Sequence, residues 1–227
     1  MGMIGSAAML LWFDIVPEHV AEHDEWHTRE HFPERVGIPG FLRAQRWVSQ
    51  APATPRYLVS YEVRDVETLT SARYRERLDH PTDWTRRMMP HYRGMVRGFC
   101  RRRHGLGIVL GSELLAVRFS PQPGRREALS RWLVDECLPA VSARAGFASA
   151  FELAAEGEPP MTAEQRIRGR DATVDGVLLV TGYAGGFLDE LGRGELSARA
   201  LEARGAAAGT QSGRYRLACR ADAARES

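Results

Sequence analysis

The chain has 227 residues, 44% hydrophobic, 26% charged and 8% aromatic, with 31 basic and 29 acidic groups for a net charge of +2. This composition excludes disordered, collagen-like and disulfide-scaffold classes and suits one large domain or two small ones. Every basic residue is arginine and there is no lysine, which excludes Schiff-base chemistry and a phosphate-binding loop built on lysine.

The first apolar stretch, 7–13, is too short to span a bilayer and has no basic flank of the kind that precedes a signal peptide. It reads as a strand instead, over 10–16. A helix follows over 18–36, then strands over 41–49 and 57–63 around the turn-rich "QAPATP". A second helix is predicted over 66–78, and the loop "DHPTDWTRRMMPHYRG" leads into a strand over 95–103. That strand ends in the one basic run, Arg101-Arg102-Arg103, which has no second cluster with which to track a phosphate backbone. No nucleic-acid partner is expected.

The second half repeats the first. "LLWFDIVPEHVAEHDEWHTREHFPERVGIPGF" and "LLAVRFSPQPGRREALSRWLVDECLPAVSARAGF" share a Pro, a Trp, a Pro and a Gly-Phe in the same order, with Trp26 and Trp132, Pro33 and Pro139, and Gly40 and Gly146 each 106 positions apart. The predicted elements of the second copy are a strand over 114–120, a helix over 125–143, strands over 147–153 and 176–183, a helix over 187–206 and a strand over 213–220. The polar segment 154–174, with its Pro159-Pro160 pair, reads as a mobile flap. A repeat of about 105 residues is too long for a solenoid and fits two copies of one small domain, with units at 8–110 and 111–222. Each copy reads β-α-β-β-α-β, the ferredoxin-like arrangement of an antiparallel sheet with helices on one face. The fold class is α+β.

The segment "EWHTREHFPERVGIPGF" resembles the helix-to-strand signature of EthD-like proteins in the dimeric α/β-barrel superfamily, with Trp26, His31, Pro33, Pro39 and Gly40 in the signature positions. That resemblance implies that two ferredoxin-like units pack sheet to sheet into a barrel, here as a fused tandem repeat forming a single-chain pseudo-dimer. The superfamily it points to holds cofactor-free monooxygenases, isomerases, cyclases, decarboxylases, haem enzymes and members without known activity, so fold alone does not fix chemistry.

Four of the seven histidines, His19, His23, His27 and His31, recur every fourth residue of the first helix. For His19 and His23, with acidic residues interleaved, a solvated face is expected. His27 and His31 at this spacing could converge on a metal, but no HExxH motif or third ligand accompanies them, and no metal is assigned. Two readings stand for His31, close to Pro33: a general acid or base near neutral pH at the barrel mouth, or a cap that complements the helix dipole. The second copy has Leu133 and Cys137 in place of His27 and His31, so only the first is equipped.

On the first strand, Leu11, Phe13 and Ile15 alternate with Trp12 and Asp14, which sends Trp12 and Asp14 toward the barrel interior once helices cover the apolar face. Arg118 in the second copy is the expected partner of Asp14. The third strand offers Tyr61, and the loop before the fourth gathers Trp84, His80 and His91, whose types suit a pocket lid. The expected site is therefore catalytic His31, His27 and Asp14, with Trp12, Tyr61, Trp26, Trp84, His91 and Arg118 binding substrate. The reading is a small-molecule enzyme of secondary or aromatic metabolism, performing cofactor-free acid/base chemistry of the cyclase, dehydratase, isomerase or decarboxylase type on an apolar or polyketide-like substrate in the barrel. A cofactor-independent monooxygenase and a non-catalytic ligand-binding or structural barrel are the alternatives. Three widely spaced cysteines, Cys100, Cys137 and Cys219, form neither a zinc nor a disulfide pattern and fit a reducing cytoplasm. No cofactor and no membrane partner is expected, and a further homodimer is compatible with this reading.

Overall fold

In a computed structural model, residues 2–52, 54–157, 167 and 171–224 are described. The strands are β1 (Ala7–Ile15), β2 (Phe41–Ser49), β3 (Tyr57–Val63), β4 (Tyr92–Leu106), β5 (Glu113–Phe119), β6 (Phe147–Ala155), β7 (Ala172–Thr173), β8 (Gly176–Gly182) and β9 (Gln211–Asp222). Their hydrogen-bonded order, β1-β3-β2-β9-β5-β8-β6-β4 and back to β1, closes an eight-stranded antiparallel barrel. The two-residue β7 adds to β4 in parallel. Each half contributes a block of four, β4-β1-β3-β2 and β9-β5-β8-β6, in the same order. The blocks join edge to edge through β2–β9 and β4–β6. Closure leaves no open edge on either four-stranded sheet, which is what a lone split β-α-β unit cannot achieve.

Helix α1 (20–36) consists of Val20–Trp26, a π-helical turn His27–His31 and Phe32–Val36. The π turn follows from Pro33, whose ring has no N–H and would crowd the carbonyl four residues back in a regular helix. The ladder slips by one residue, so that Phe32 N donates to His27 O. Pro139 does the same in α4 (126–142), where Leu133–Cys137 form the π turn and Leu138 N donates to Leu133 O. Both helices end before a glycine at positive φ, Gly40 at 93° and Gly146 at 100°. A Cβ there would lie 2.8 Å from the Thr68 side chain and 2.8 Å from Phe187 Cβ, respectively. The recurring Gly-Phe is thus required by backbone conformation and by close packing in both halves.

Alternation along β1 divides the core as expected. Met9, Leu11, Phe13 and Ile15 pack under α1 with Trp26 and Phe32, while Ala8, Leu10 and Trp12 face the barrel interior with Trp47, Leu58, Leu114 and Phe151. That interior is filled: the void bounded by Gln45, Trp47, Ser60, Glu62 and Thr181 measures about 30 Å³, roughly the space of a water molecule.

Several expected elements are corrected. The loop after α2 (Ala72–Asp79) contains a helix, α3 (Asp83–Met88), begun by the Thr82 hydroxyl accepting from Thr85 N. The single helix expected over 187–206 is two, α5 (Gly185–Arg193) and α6 (Ala198–Ala203), because Gly194 ends the first and Ser197 caps the second. Most of the flap expected over 154–174 lies outside the described residues. No helix among the described residues is long and apolar enough to cross a membrane.

Candidate functional site

Four side chains of α1, His23, His27, His31 and Arg35, form a column facing β1 and β3, and all are buried. Successive imidazoles stack, with ring centroids 4.9 Å apart for His23 and His27 and 5.2 Å for His27 and His31. The π turn keeps His31 over His27 by widening the helix at that point. From β3, Tyr61 places its hydroxyl 3.3 Å from His27 Nε2, and Tyr57 donates to Asp24 Oδ1 at 2.8 Å. Trp26 lies against His31 with centroids 4.4 Å apart and donates through Nε1 to Glu30 at 3.0 Å. Arg35 lies over the Tyr74 ring, and Arg97 of β4 is ion-paired with Asp171 at 3.1 Å.

His27, His31, Arg35, Tyr61, Tyr74 and Arg97 line a void of about 30 Å³ between helix and sheet, together with Met9, Leu78, Met89, Tyr92 and Met95. Its polar groups converge within an otherwise apolar wall, and as it stands the void has room for about one water molecule. The methionines are the side chains best able to repack around a guest.

Burial holds the His27 imidazole well below its ordinary value, and the neighbouring His23, His31, Arg46 and Arg35 push the same way. Burial also lowers His23, opposed by its hydrogen bond to Asp24. Both are therefore neutral near pH 7. Burial pushes the Tyr57 phenol up to about 12, so it stays a donor. His27 Nδ1 and His23 Nε2 are buried without a hydrogen-bond partner among the described residues.

These shifts carry a pH dependence. With folded-state values below 6.5, the unfolded chain binds more protons than the native one as pH falls through 6.5, so stability drops on acidification and is fully present above about pH 7. The slope approaches roughly 1.4 kcal/mol per pH unit for each such histidine. The buried carboxylates Glu62 and Glu152 are raised by burial and act in the opposite sense at lower pH. We therefore expect urea unfolding of wild type between pH 5 and 7.5 to show a steeper loss than the His27→Leu variant, and parallel curves would contradict the assignment.

The sequence-predicted residues divide into groups. His27, His31, Tyr61 and Trp26 meet between α1 and the sheet. Trp12 faces the barrel interior on the other side of β1, with Arg118 stacked over its ring at 4.9 Å. Asp14 is exposed at the rim, where its carboxylate accepts from Arg56 N at 2.7 Å. The expected Asp14–Arg118 pair is thus not formed; Arg118 donates to Gln211 instead. His91 stacks on His19 at 3.5 Å on the outside of the helix, Trp84 donates to Glu22 at 3.2 Å, and the exposed His80 lies against the Glu76 carbonyl.

Two expectations are corrected. His23 is fully buried rather than solvated, and His31 does not cap the helix, which continues to Val36. The chemistry-bearing cluster therefore sits beneath α1, not in the barrel interior. Arg35, Tyr74 and Arg97 were not singled out from the sequence, while Tyr57 shares its face of the third strand with Tyr61. A signal existed for Arg35: it continues the four-residue spacing, and His23, His27, His31 and Arg35 align in the repeat with Leu129, Leu133, Cys137 and Val141. In the second half those residues pack as plain core with Leu178 and Val180, which marks this helix face as inward in both. Among the described residues no group of three or more histidine, cysteine or acidic side chains could hold a metal ion.

No protein-family model and no curated protein matches the chain. Solved structures do resemble it. An anthrone oxidase-like protein matches with TM-score 0.68 and 12% identity, covering 99% of this chain and 97% of its own. A candidate monooxygenase from Fusobacterium nucleatum matches with TM-score 0.60 and 7% identity over 97% and 96% of the two chains. Another from Lactobacillus acidophilus gives 0.58 and 7% over 95% of each. These likenesses, with the strand order above, show the fold: an α+β barrel of eight antiparallel strands built from two ferredoxin-like units, here in one chain.

Proposed function

We propose that the chain, read as units 8–110 and 111–222, is a small-molecule enzyme whose one active site is the histidine pocket of the first unit. The observation that carries this reading is His27, buried, neutral and 3.3 Å from the Tyr61 hydroxyl, on a helix whose counterpart is wholly apolar at the same positions. A buried imidazole whose Nδ1 has no hydrogen-bond partner among the described residues is costly to keep, which supports a functional reason for it. A neutral imidazole offers a nitrogen lone pair to a substrate proton, and because burial makes it a weaker base than in water, the transfer depends on the pocket stabilising the anion formed. Arg35 and Arg97 at the pocket wall favour the anion so formed.

The substrate is then a flat, apolar molecule with one acidic C–H or O–H, admitted by displacement of Met89 and Met95. Two outcomes are open to its anion. Reprotonation or expulsion of a leaving group gives the isomerase, cyclase, dehydratase or decarboxylase chemistry. Capture of O₂ gives cofactor-free oxygenation, in which an anthrone-type CH₂ becomes a carbonyl and the second oxygen atom leaves as water. The anthrone oxidase-like and monooxygenase neighbours favour the second. The test is incubation of purified protein with anthrones and related phenols in D₂O, following carbon-bound deuterium under argon and O₂ uptake in air. Exchange without O₂ uptake supports acid/base chemistry, and stoichiometric uptake supports oxygenation. If neither occurs across the panel, the enzymatic reading gives way to a ligand-binding barrel.

A further inference from the structure

We propose that Arg118 anchors a binding site for a small organic carboxylate at the mouth of the barrel, separate from the histidine pocket. Arg118 belongs to the inward-facing row of β5 that includes Leu114 and Ala116, and its guanidinium lies over the indole of Trp12. It borders a cavity of about 230 Å³ lined by Val96, Phe119, Ser120, Val174, Asp175 and Gln211. That volume is below the roughly 300–1,000 Å³ of sites for drug-sized ligands and far larger than either interior void.

Arg118 has no ion-pair partner among the described residues lining this cavity. Arg118 carries five N–H donors, and the protein acceptor it meets is the Gln211 side-chain oxygen. No carboxylate among the described residues pairs with it: Asp14 is taken by Arg56 N, and Asp175 accepts from Ser120 Oγ. Burial accordingly disfavours its charged form, with only the Tyr215 phenol acting the other way. Stacking on Trp12 and the bond to Gln211 hold the planar fork in place, which lowers the entropy cost of a bidentate contact. Because its oxygen faces Arg118, Gln211 has its amide N–H₂ left to donate to the same ligand.

The neighbouring groups select among anions. Asp175 is a like charge on the cavity wall, a penalty that grows with ligand charge and so favours a monoanion over a phosphate dianion. Val96, Phe119 and Val174 supply an apolar surface for the body of the ligand, while Trp12 lies behind the Arg118 guanidinium. Benzoate has this chemistry. Trp12 and Arg118 lie on the opposite face of the barrel wall from His27, so this site stands or falls independently of the proposed reaction.

The test is calorimetric titration of sodium benzoate, and separately of inorganic phosphate, into the whole protein at pH 7.5 and constant ionic strength. Saturable one-to-one benzoate binding is expected, weakened at least about tenfold in Arg118→Gln, as a lost charge-assisted pair requires, and unchanged in the exposed-arginine control Arg75→Gln. Absence of saturable binding, equal binding by Arg118→Gln, or phosphate binding more tightly than benzoate would each overturn the proposal. Should Arg118→Gln not fold, the wild-type NMR resonances of Arg118 Nε–H and Trp12 Nε1–H decide: both shift with added benzoate if the site is real, and unmoved resonances reject it.

Discussion

Replacing His27 by leucine together with Tyr61 by phenylalanine is expected to lower turnover severely while leaving the protein as stable as wild type or more so. The substitutions copy the chemistry of the second half, where Leu133 stands at the position of His27 in a wholly apolar layer. Removing both partners of a buried polar contact avoids the penalty of orphaning one of them, and here it also removes His27 Nδ1, which is buried without a hydrogen-bond partner among the described residues. A gain of about 1–2 kcal/mol is within the range for replacing such groups by well-packed hydrocarbon. Turnover should fall by about two to four orders of magnitude, the contribution of a positioned general base. His27→Gln, which keeps a polar group facing Tyr61, should lose comparable activity with smaller change in stability, and His31→Ala should likewise fall by about two to four orders if it shares the proton transfer. Activity on an identified substrate that survives in the double variant would remove His27 from the mechanism. Loss of stability in the same variant would mean that the histidine column is structural.

The sequence carried the architecture because a repeat counts the same evidence twice. Two landmarks of the alignment have a backbone cause: Pro33 and Pro139 force the π turns, and Gly40 and Gly146 occupy positive φ against a packed side chain. Such requirements are local, so they survive when most other residues have changed. The site was legible only in part. Identical four-residue spacing places His19 near solvent and His23 fully inside, and spacing within one helix cannot say which side the sheet lies on. Comparison of the two copies can, through the apolar Leu129, Leu133, Cys137 and Val141. Partners that arrive from other elements, Tyr57 and Tyr61 from β3 and Arg97 from β4, depend on register and strand order, which no local pattern encodes. Asp14 shows the converse. Its alternation with Phe13 is real, but it is close to the strand end, and there the barrel interior has already opened to solvent.

Trp26→Ala is expected to be among the most destabilising single substitutions in the chain, at about 3–5 kcal/mol, the usual cost of deleting a fully buried tryptophan. Its ring fills the space against His31 and beside His27, at centroid distances of 4.4 and 5.5 Å. Its Nε1–H meets Glu30, whose carboxylate also accepts from the Thr82 hydroxyl at the start of α3. Deletion therefore opens a cavity and releases the tie between the two helices. The repeat supplies an internal control. Trp132, the equivalent residue, is only partly buried, with Arg204 over its outer face at 5.0 Å, so Trp132→Ala should cost less than Trp26→Ala. Trp26→Phe separates the two contributions, since it keeps most of the packing and loses the hydrogen bond, and should cost about 1–2 kcal/mol for the lost bond and the smaller ring, Glu30 keeping the Thr82 hydroxyl as donor. Urea unfolding of the three variants at pH 7.5 measures the order. If Trp26→Ala costs no more than Trp132→Ala, Trp26 is not what holds the histidine column in place, and its invariance between the two copies has some cause other than packing.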